Sequence, residues 1–457
     1  MLVPMAALVL WGTGCGQEGG NPPVAASEAP PEPGSSPAEP APQPTAPQVP
    51  STPEPLPSEP APSPGQPPEQ PVATAPQPWS HLRGGPQDDT GRGVAVDGAG
   101  HVAWVWLSTP REDADRQPVE GQQSALTLSR YTAAGVHEWT REFPRNRISE
   151  PRVGASADGA VYLGGNAFLY PVDFGLGEAD DGFLVRFSSA GEPEWQRRVG
   201  QKIHGLSVGA SGEVLVSGEE WTSESHVPLL TRYAADGSVR WTQQLAGAGE
   251  GTELGAVALT PTGRAVVTGT LDGELALSDQ RFGTEWTRSL TVFVFEPDGS
   301  LAWGQVLSGV EGRITGVAVR ADGSVVVAGE AQGALSWGGT TLPEGGAFLL
   351  TMDAQGHEGW LSQPGCDALG FVPSLAVGAS SEVVAACGST LSFYAPDGTS
   401  QGERTLQPEP CESGACTLTS TSVAVGAGGA LAVTGHQRDG VTTEDWNQDA
   451  FLRLVAP

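Results

Sequence analysis

A three-residue run recurs seven times between residues 79 and 457: large apolar, small, then usually large apolar. The runs are Val94-Ala95-Val96, Val153-Gly154-Ala155, Leu206-Ser207-Val208, Val257-Ala258-Leu259, Val317-Ala318-Val319, Leu375-Ala376-Val377 and Val423-Ala424-Val425. Five residues after each small residue stands a turn position: Gly100, Gly159, Gly212, Gly263, Gly323, Ser381 or Gly429. A second apolar run follows and usually closes at a glycine: Gly165, Gly218, Gly269, Gly329, Gly388 or Gly435. A fixed repeat of strand, turn and strand constrains the fold before any single residue is interpreted.

The second half of each unit is as regular. A third apolar run occupies 126–131, 183–187, 229–233, 292–295, 348–352 and 391–394. A turn glycine follows, then a tryptophan four residues on: Gly135/Trp139, Gly191/Trp195, Gly237/Trp241, Gly299/Trp303 and Gly356/Trp360. The sixth unit keeps Gly398 and has Gly402 in the tryptophan's place. Asp-Gly at 236–237, 298–299 and 397–398 is a hairpin signal. Four short strands per unit are the sequence form of a β-propeller blade. Small middle residues suit first strands that crowd around an axis. The tryptophans suit burial between neighbouring blades.

The seventh unit stops after its third strand, Phe451-Leu452-Arg453-Leu454. The segment Gln77 to Gly84 reads like Arg240 to Gly247, so the Trp79 strand is expected to complete the last blade and remove an exposed edge. The predicted fold class is all-β, a seven-bladed propeller over 79–457 closed by an N-terminal outer strand. Only 17% of residues are charged, there is one lysine, Lys202, and no stretch keeps a helical period.

Leu2 to Trp11 is apolar and too short to span a bilayer. It runs into Gly12-Thr13-Gly14-Cys15, which resembles the lipobox of bacterial lipoproteins. The resemblance implies a signal peptide over 1–14 and a lipid on Cys15, with plain secretion as the alternative. Gly16 after the cysteine is not an aspartate, which favours outer-membrane sorting. From 15 to 78 the chain is rich in Pro, Ala, Ser, Gln and Glu and has no Lys or Arg. Such a segment buries no core and is expected to be a disordered, extended tether.

Four further cysteines, Cys366, Cys387, Cys411 and Cys416, lie in the last three units. They allow three pairings. Cys411–Cys416 and Cys366–Cys387 are the favoured ones, in keeping with an oxidising compartment. No CxxC or His-rich spacing supports a metal. The net charge of −30 argues against nucleic acid and anionic lipid surfaces as partners; it is read as keeping a surface protein soluble, with attraction of cations or basic partners as the alternative.

The repeat resembles the bacterial seven-bladed propeller repeat of secreted and lipid-anchored proteins. The third-strand motif is carried by Asp181-Gly182-Phe183-Leu184-Val185-Arg186 and Asp449-Ala450-Phe451-Leu452-Arg453, and in part by Ala347-Phe348. The second-to-third-strand connection is carried by Ala334 to Gly339 and Val172 to Gly175. That resemblance implies the fold and no activity. Ala234 to Trp241 also looks like the tryptophan-docking motif of quinoprotein dehydrogenases and of an outer-membrane assembly lipoprotein. Those folds have eight blades, and no vicinal cysteines stand here.

Catalytic motifs are absent: there is no GxSxG around a serine and no HExxH. The histidines, His81, His101, His137, His204, His226, His357 and His436, fall in different units without close spacing. The run Glu178-Ala179-Asp180-Asp181 reads as a solvated turn, with a calcium loop as the alternative. Gly247 to Gly251 reads as an inter-blade loop rather than a phosphate cradle. The expected function is a non-enzymatic cell-envelope binding or scaffold module, monomeric and without cofactor, that meets a protein or glycan at a propeller face. The candidate loops are 109–122, 221–227, 273–289 and 411–416. The competing class is an envelope lyase or hydrolase with paired carboxylates in the central funnel.

Overall fold

The computed structural model describes residues 77–456 apart from 112–122, 145–146, 222–225, 247–248, 367–372 and 441–446. Cys15 and the proline-rich segment up to residue 76 lie outside the described residues. Seven four-stranded antiparallel sheets form. Blade 1 spans 88–144, blade 2 148–198, blade 3 202–244, blade 4 253–307, blade 5 311–362 and blade 6 374–405. Blade 7 joins Cys416–Val425, Leu431–Asp439 and Asn447–Val455 to Trp79–Arg83, its outermost strand. Trp79 pairs with Leu454 and Arg83 with Ala450, so the ring closes as the repeat predicts. Among the described residues the only helical piece is a 3-10 turn at Ala427–Gly429.

Antiparallel strands alternate in direction. Naming the strands of each blade A to D from the axis outward, the A–B and C–D turns share one face of the ring. The B–C and D–A connections share the other. The first, the turn face, is built from short hydrogen-bonded glycine turns. In blade 3, Gly237 N donates to Ala234 O at 2.9 Å and sits at φ +76°. Asp236 Oδ1 accepts from Ser238 N at 2.9 Å. The Asp-Gly pair thus closes a type I turn whose left-handed residue is the glycine. The second face, the loop face, carries the longer excursions. The segment 273–289, expected as a loop, is instead the tip of a long hairpin between Ala265–Leu277 and Gln280–Phe295. The acidic run at 178–181 also lies in a strand, Glu178–Phe187, where Arg198 Nη2 donates to Asp181 Oδ2 at 3.1 Å.

Buried apolar residues gather into seven clusters, one at each blade interface. A repeated contact locks six of these interfaces. The indole of each outer-strand tryptophan lies on the C–D turn glycine of the next blade. Cβ atoms built on Gly135, Gly191, Gly237, Gly299, Gly356 and Gly398 would fall 2.6–3.0 Å from Trp79, Trp139, Trp195, Trp241, Trp303 and Trp360. Each indole Nε1 also donates to a carbonyl of that turn, from Trp79 to Ala133 O at 3.1 Å through to Trp360 to Pro396 O at 3.1 Å. Two residues further on, His81, Arg141, Arg197, Gln243 and Gln305 hydrogen-bond the turn glycine's carbonyl. The sequence places these rings between blades; in the structure they are half buried rather than enclosed.

Two outcomes follow from this packing. Gly237→Ala meets both a positive φ and the Trp195 ring, so it should lose about 2–4 kcal/mol in denaturant unfolding. Gly309→Ala, at φ +71° with nothing within 4 Å, should lose only about 1 kcal/mol from backbone strain. Equal losses would remove the indole contact as a cause. A chain starting at residue 79 should melt like the full chain, whereas one starting at 92 should aggregate or melt clearly lower. Trp79→Ala, with its ring half buried, should cost about 2–3 kcal/mol.

Candidate functional site

The axis opens on the loop face into a funnel of about 700 Å³ lined by the A strands. A single device aims its side chains. Six of the seven A strands carry a β-bulge at the same place, between Gly91 and Gly93, Ser149 and Arg152, Ile203 and Gly205, Leu254 and Val257, Ile314 and Gly316, and Ser420 and Ser422. The extra residue leaves the ladder and faces the axis. Arg92, Glu150, His204, Thr315 and Thr421 line the funnel in this way, joined by Arg152, Glu253 and Arg313. Glu150 takes a left-handed φ of +50° at its bulge. Neighbouring blades are bonded at these positions: Thr421 Oγ1 donates to Gly91 O at 2.7 Å, Arg152 Nε to His204 O at 3.3 Å, and Thr315 Oγ1 to Pro373 O, just before the unbulged inner strand of blade 6, at 2.8 Å.

On blade 3 the funnel wall backs onto a buried carboxylate. Glu219 is only 3% exposed. Lys202 Nζ lies 3.0 Å from it, His204 Nε2 3.2 Å and Trp221 Nε1 3.1 Å, and His226 Nε2 is hydrogen-bonded to it. Burial would raise this carboxyl, but the bonds from His204, His226 and Lys202 hold it well below the usual carboxylate range. His204 and His226, read from the sequence as belonging to different units, lie in one blade and meet here, because its strands A and C pass on either side of Glu219 on strand B. Among the described residues no group of three or more His, Cys, Asp or Glu side chains is arranged to hold a metal ion.

A second charged group sits at the closure seam. Asp89, buried at 6% exposure, accepts from Ser108 Oγ and neighbours Asp449 and Asp88. Asp88 pairs with Arg111 at 3.2 Å, and Asn447 Nδ2 donates to Asp449 Oδ1 at 3.1 Å. Burial pushes the Asp89 carboxyl up to about 6; the Ser108 bond opposes this, and Asp449 and Asp88 add to it.

The rim of the loop face bears exposed aromatic and apolar side chains on three successive blades. Tyr170 (53% exposed) and Leu176 (44%) sit on the B–C hairpin of blade 2, Trp221 (48%) on blade 3 and Trp286 (90%) on blade 4. The cysteines also belong to this face. Cys366–Cys387 and Cys411–Cys416 are disulfide-bonded, with Cα atoms 5.2 and 6.1 Å apart. Of the loops expected to bind, 112–122 and 222–225 lie outside the described residues. Of the glycine-rich stretch after blade 3, Gly249 to Gly251 lie between blades 3 and 4, with Gly249 N donating to Asp272 O at 2.8 Å, while Gly247 and Ala248 lie outside the described residues. The funnel residues Arg92, Glu150, Arg152 and Arg313 were not among the expected site residues. Spacing could have found Arg92 alone among them. The position three before each small middle residue reads Arg92, Pro151, His204, Gly255, Thr315, Pro373 and Thr421.

No family profile and no curated protein matches this chain. Solved structures similar to it include a chain of a mitotic checkpoint complex, at 11% identity and TM-score 0.48, covering 87% of this chain and 97% of that one. The WD40 domain of Pan2 from Neurospora crassa is similar at 9% identity and TM-score 0.43, covering 80% and 88%. A protein of unknown function from Bacteroides caccae is similar at 12% identity and TM-score 0.37, covering 55% and 78%. Likeness at this level carries no argument about function, and the blade count rests on the strand pairing.

The seam carboxylate sets a pH dependence. A carboxyl whose folded pKa is raised binds its proton more tightly in the native state. Its contribution to stability therefore falls as pH rises from about 4 through about 6. Asp89→Asn should be more stable than the parent by about 2–3 kcal/mol at pH 8 and equal to it near pH 3.5. Denaturant unfolding of both proteins at the two pH values measures the difference directly, and a constant gap would show that Asp89 is not desolvated.

Proposed function

We propose that this chain is a lipid-anchored, extracytoplasmic binding module that meets its partner with the loop face of the propeller. The observation that carries the reading is the asymmetry of the two faces. The turn face is built from short glycine turns, six of them in contact with a neighbouring indole, and its exposed large apolar side chains are Val136 and Val239 among the described residues. The loop face holds the funnel, both disulfides and the exposed set Tyr170, Leu176, Trp221 and Trp286. Exposed tryptophan and tyrosine beside polar surroundings are the residue types that dominate binding energy when buried by a partner. The lipid on Cys15 would hold the chain to a membrane, and 15–78 would act as the spacer.

Partner capture from an envelope extract tests the face. Trp221→Ala combined with Trp286→Ala should reduce capture at least about ten-fold, the usual scale for paired aromatic anchors. Val136→Asp with Val239→Asp on the turn face should leave it unchanged. The reverse pattern would overturn the assignment. For the anchor, the parent should sediment with membranes and Cys15→Ala should be soluble; a soluble, unlipidated parent in its own host would refute it.

A further inference from the structure

The funnel reverses the charge balance of the chain. Acidic residues outnumber basic ones 53 to 23 over the sequence. The charged side chains lining the funnel are three arginines, Arg92, Arg152 and Arg313, against two carboxylates, Glu150 and Glu253, with His204 between them. The carboxylates do not use up the arginines. Arg313 Nη2 lies 3.4 Å from Glu330 Oε2 and is still 55% exposed. Arg152 Nη2 stands 3.7 Å from Glu150 Oε2 and is 41% exposed. Arg92 is exposed to the funnel and has no ion-pair partner among the described residues.

Arg92 and Arg152 stand on the bulged inner strands of adjacent blades, where each feels the other's charge. Enclosure by the funnel wall lowers the Arg92 pKa, and Arg152 lowers it further against the pull of Glu150. Both guanidinium groups stay protonated. Two neighbouring cations with one carboxylate paired to only one of them, on a scaffold of bonded bulges, form a site completed by an anion. An apolar plane stands on blade 3 outside the funnel lining and reaches it through His204. Trp221, half exposed at the rim, is tied through Glu219 to the funnel residue His204, with Lys202 Nζ 4.8 Å from its ring centroid.

We propose that the funnel binds an acidic saccharide: Arg92 and Arg152 clamp one carboxylate, Arg313 faces a second acidic group, and Trp221 receives the C–H face of a sugar ring. A cavity of about 700 Å³ accommodates two or three sugar rings. This assignment rests on the reading of the loop face as the ligand face, and it names the chemistry of that site.

Titration calorimetry on the full chain decides it, with a trimer of galacturonic acid, the neutral galactose trimer and citrate as probes. The acidic trimer should bind, more weakly as salt rises, and the neutral trimer should not. Arg92→Gln and Arg152→Gln should each weaken binding about ten-fold, the loss expected of one charge-assisted contact. Trp221→Ala should weaken the trimer but not citrate. Arg240→Gln, on an exposed outer strand, should change nothing. Arg92→Gln relieves like-charge crowding, so it should melt no lower than the parent, which separates a binding role from a structural one. No binding of any anion, or binding untouched in the double Arg92→Gln/Arg152→Gln variant, would overturn the site. Citrate binding as tightly as the trimer would overturn the saccharide assignment. If the rim variants still lose partner capture while no anion binds, the loop-face reading stands and the funnel chemistry falls.

Discussion

An indole laid flat on a glycine turn of the next blade couples six of the seven blade interfaces. The contact works only because three requirements coincide. The turn needs a left-handed residue, which glycine supplies without strain. The ring needs the space a Cβ would fill. The indole N–H needs an acceptor once it leaves water, and the turn carbonyl supplies it. Strand D of each blade is thereby registered against strand C of its neighbour. That register sets the angle between blades and therefore the width of the funnel.

The exception explains itself. Gly402 stands where the tryptophan of blade 6 would be, and the partner it would need is a C–D turn in blade 7. Blade 7 has none, because its D strand arrives from the N-terminal side. Arg404 Nη1 instead donates to Ala456 O at 2.6 Å, and Arg453 Nη1 donates to Gln407 O. Blade 6 is also the thinnest sheet, with strands of four, five, five and six residues and no inner bulge. Both disulfides flank it, one holding the connection before it and one the connection after it. Covalent closure of those connections limits the freedom of the unfolded chain where apolar burial is least.

The architecture was legible in the sequence because strand periodicity, turn glycines and the Gly-to-Trp interval repeat in identity as well as in spacing. The closing strand was legible for the same reason: Trp79 sits in a copy of the Trp241 segment. The site was not. Bulge residues recur in position but not in type, as Arg92, His204, Thr315 and Thr421 show, so no residue pattern marks them. Glu219 gathers Lys202 and His204 from one neighbouring strand and His226 from the other, a meeting that only pairing register reveals. The 273–289 hairpin reads as a loop in the sequence because its polar residues hide an alternation continued beyond the sheet, with Leu275, Leu277 and Phe282 buried on one side.

The direction of strand D in blade 7 bears on how the molecule carries load. Residue 79 lies at the turn face, beside residue 456, and the strand climbs from there toward the loop face to Arg83. A pull transmitted through the N-terminal segment, resisted by a partner held at the loop face, runs along this strand rather than across it. The pairs from Trp79↔Leu454 to Arg83↔Ala450 then share the force in shear instead of opening one after another. The Trp79 ring, lodged over Gly135 at the loaded end, resists the first slip. The strand that closes the ring is in this sense also its mechanical fastening.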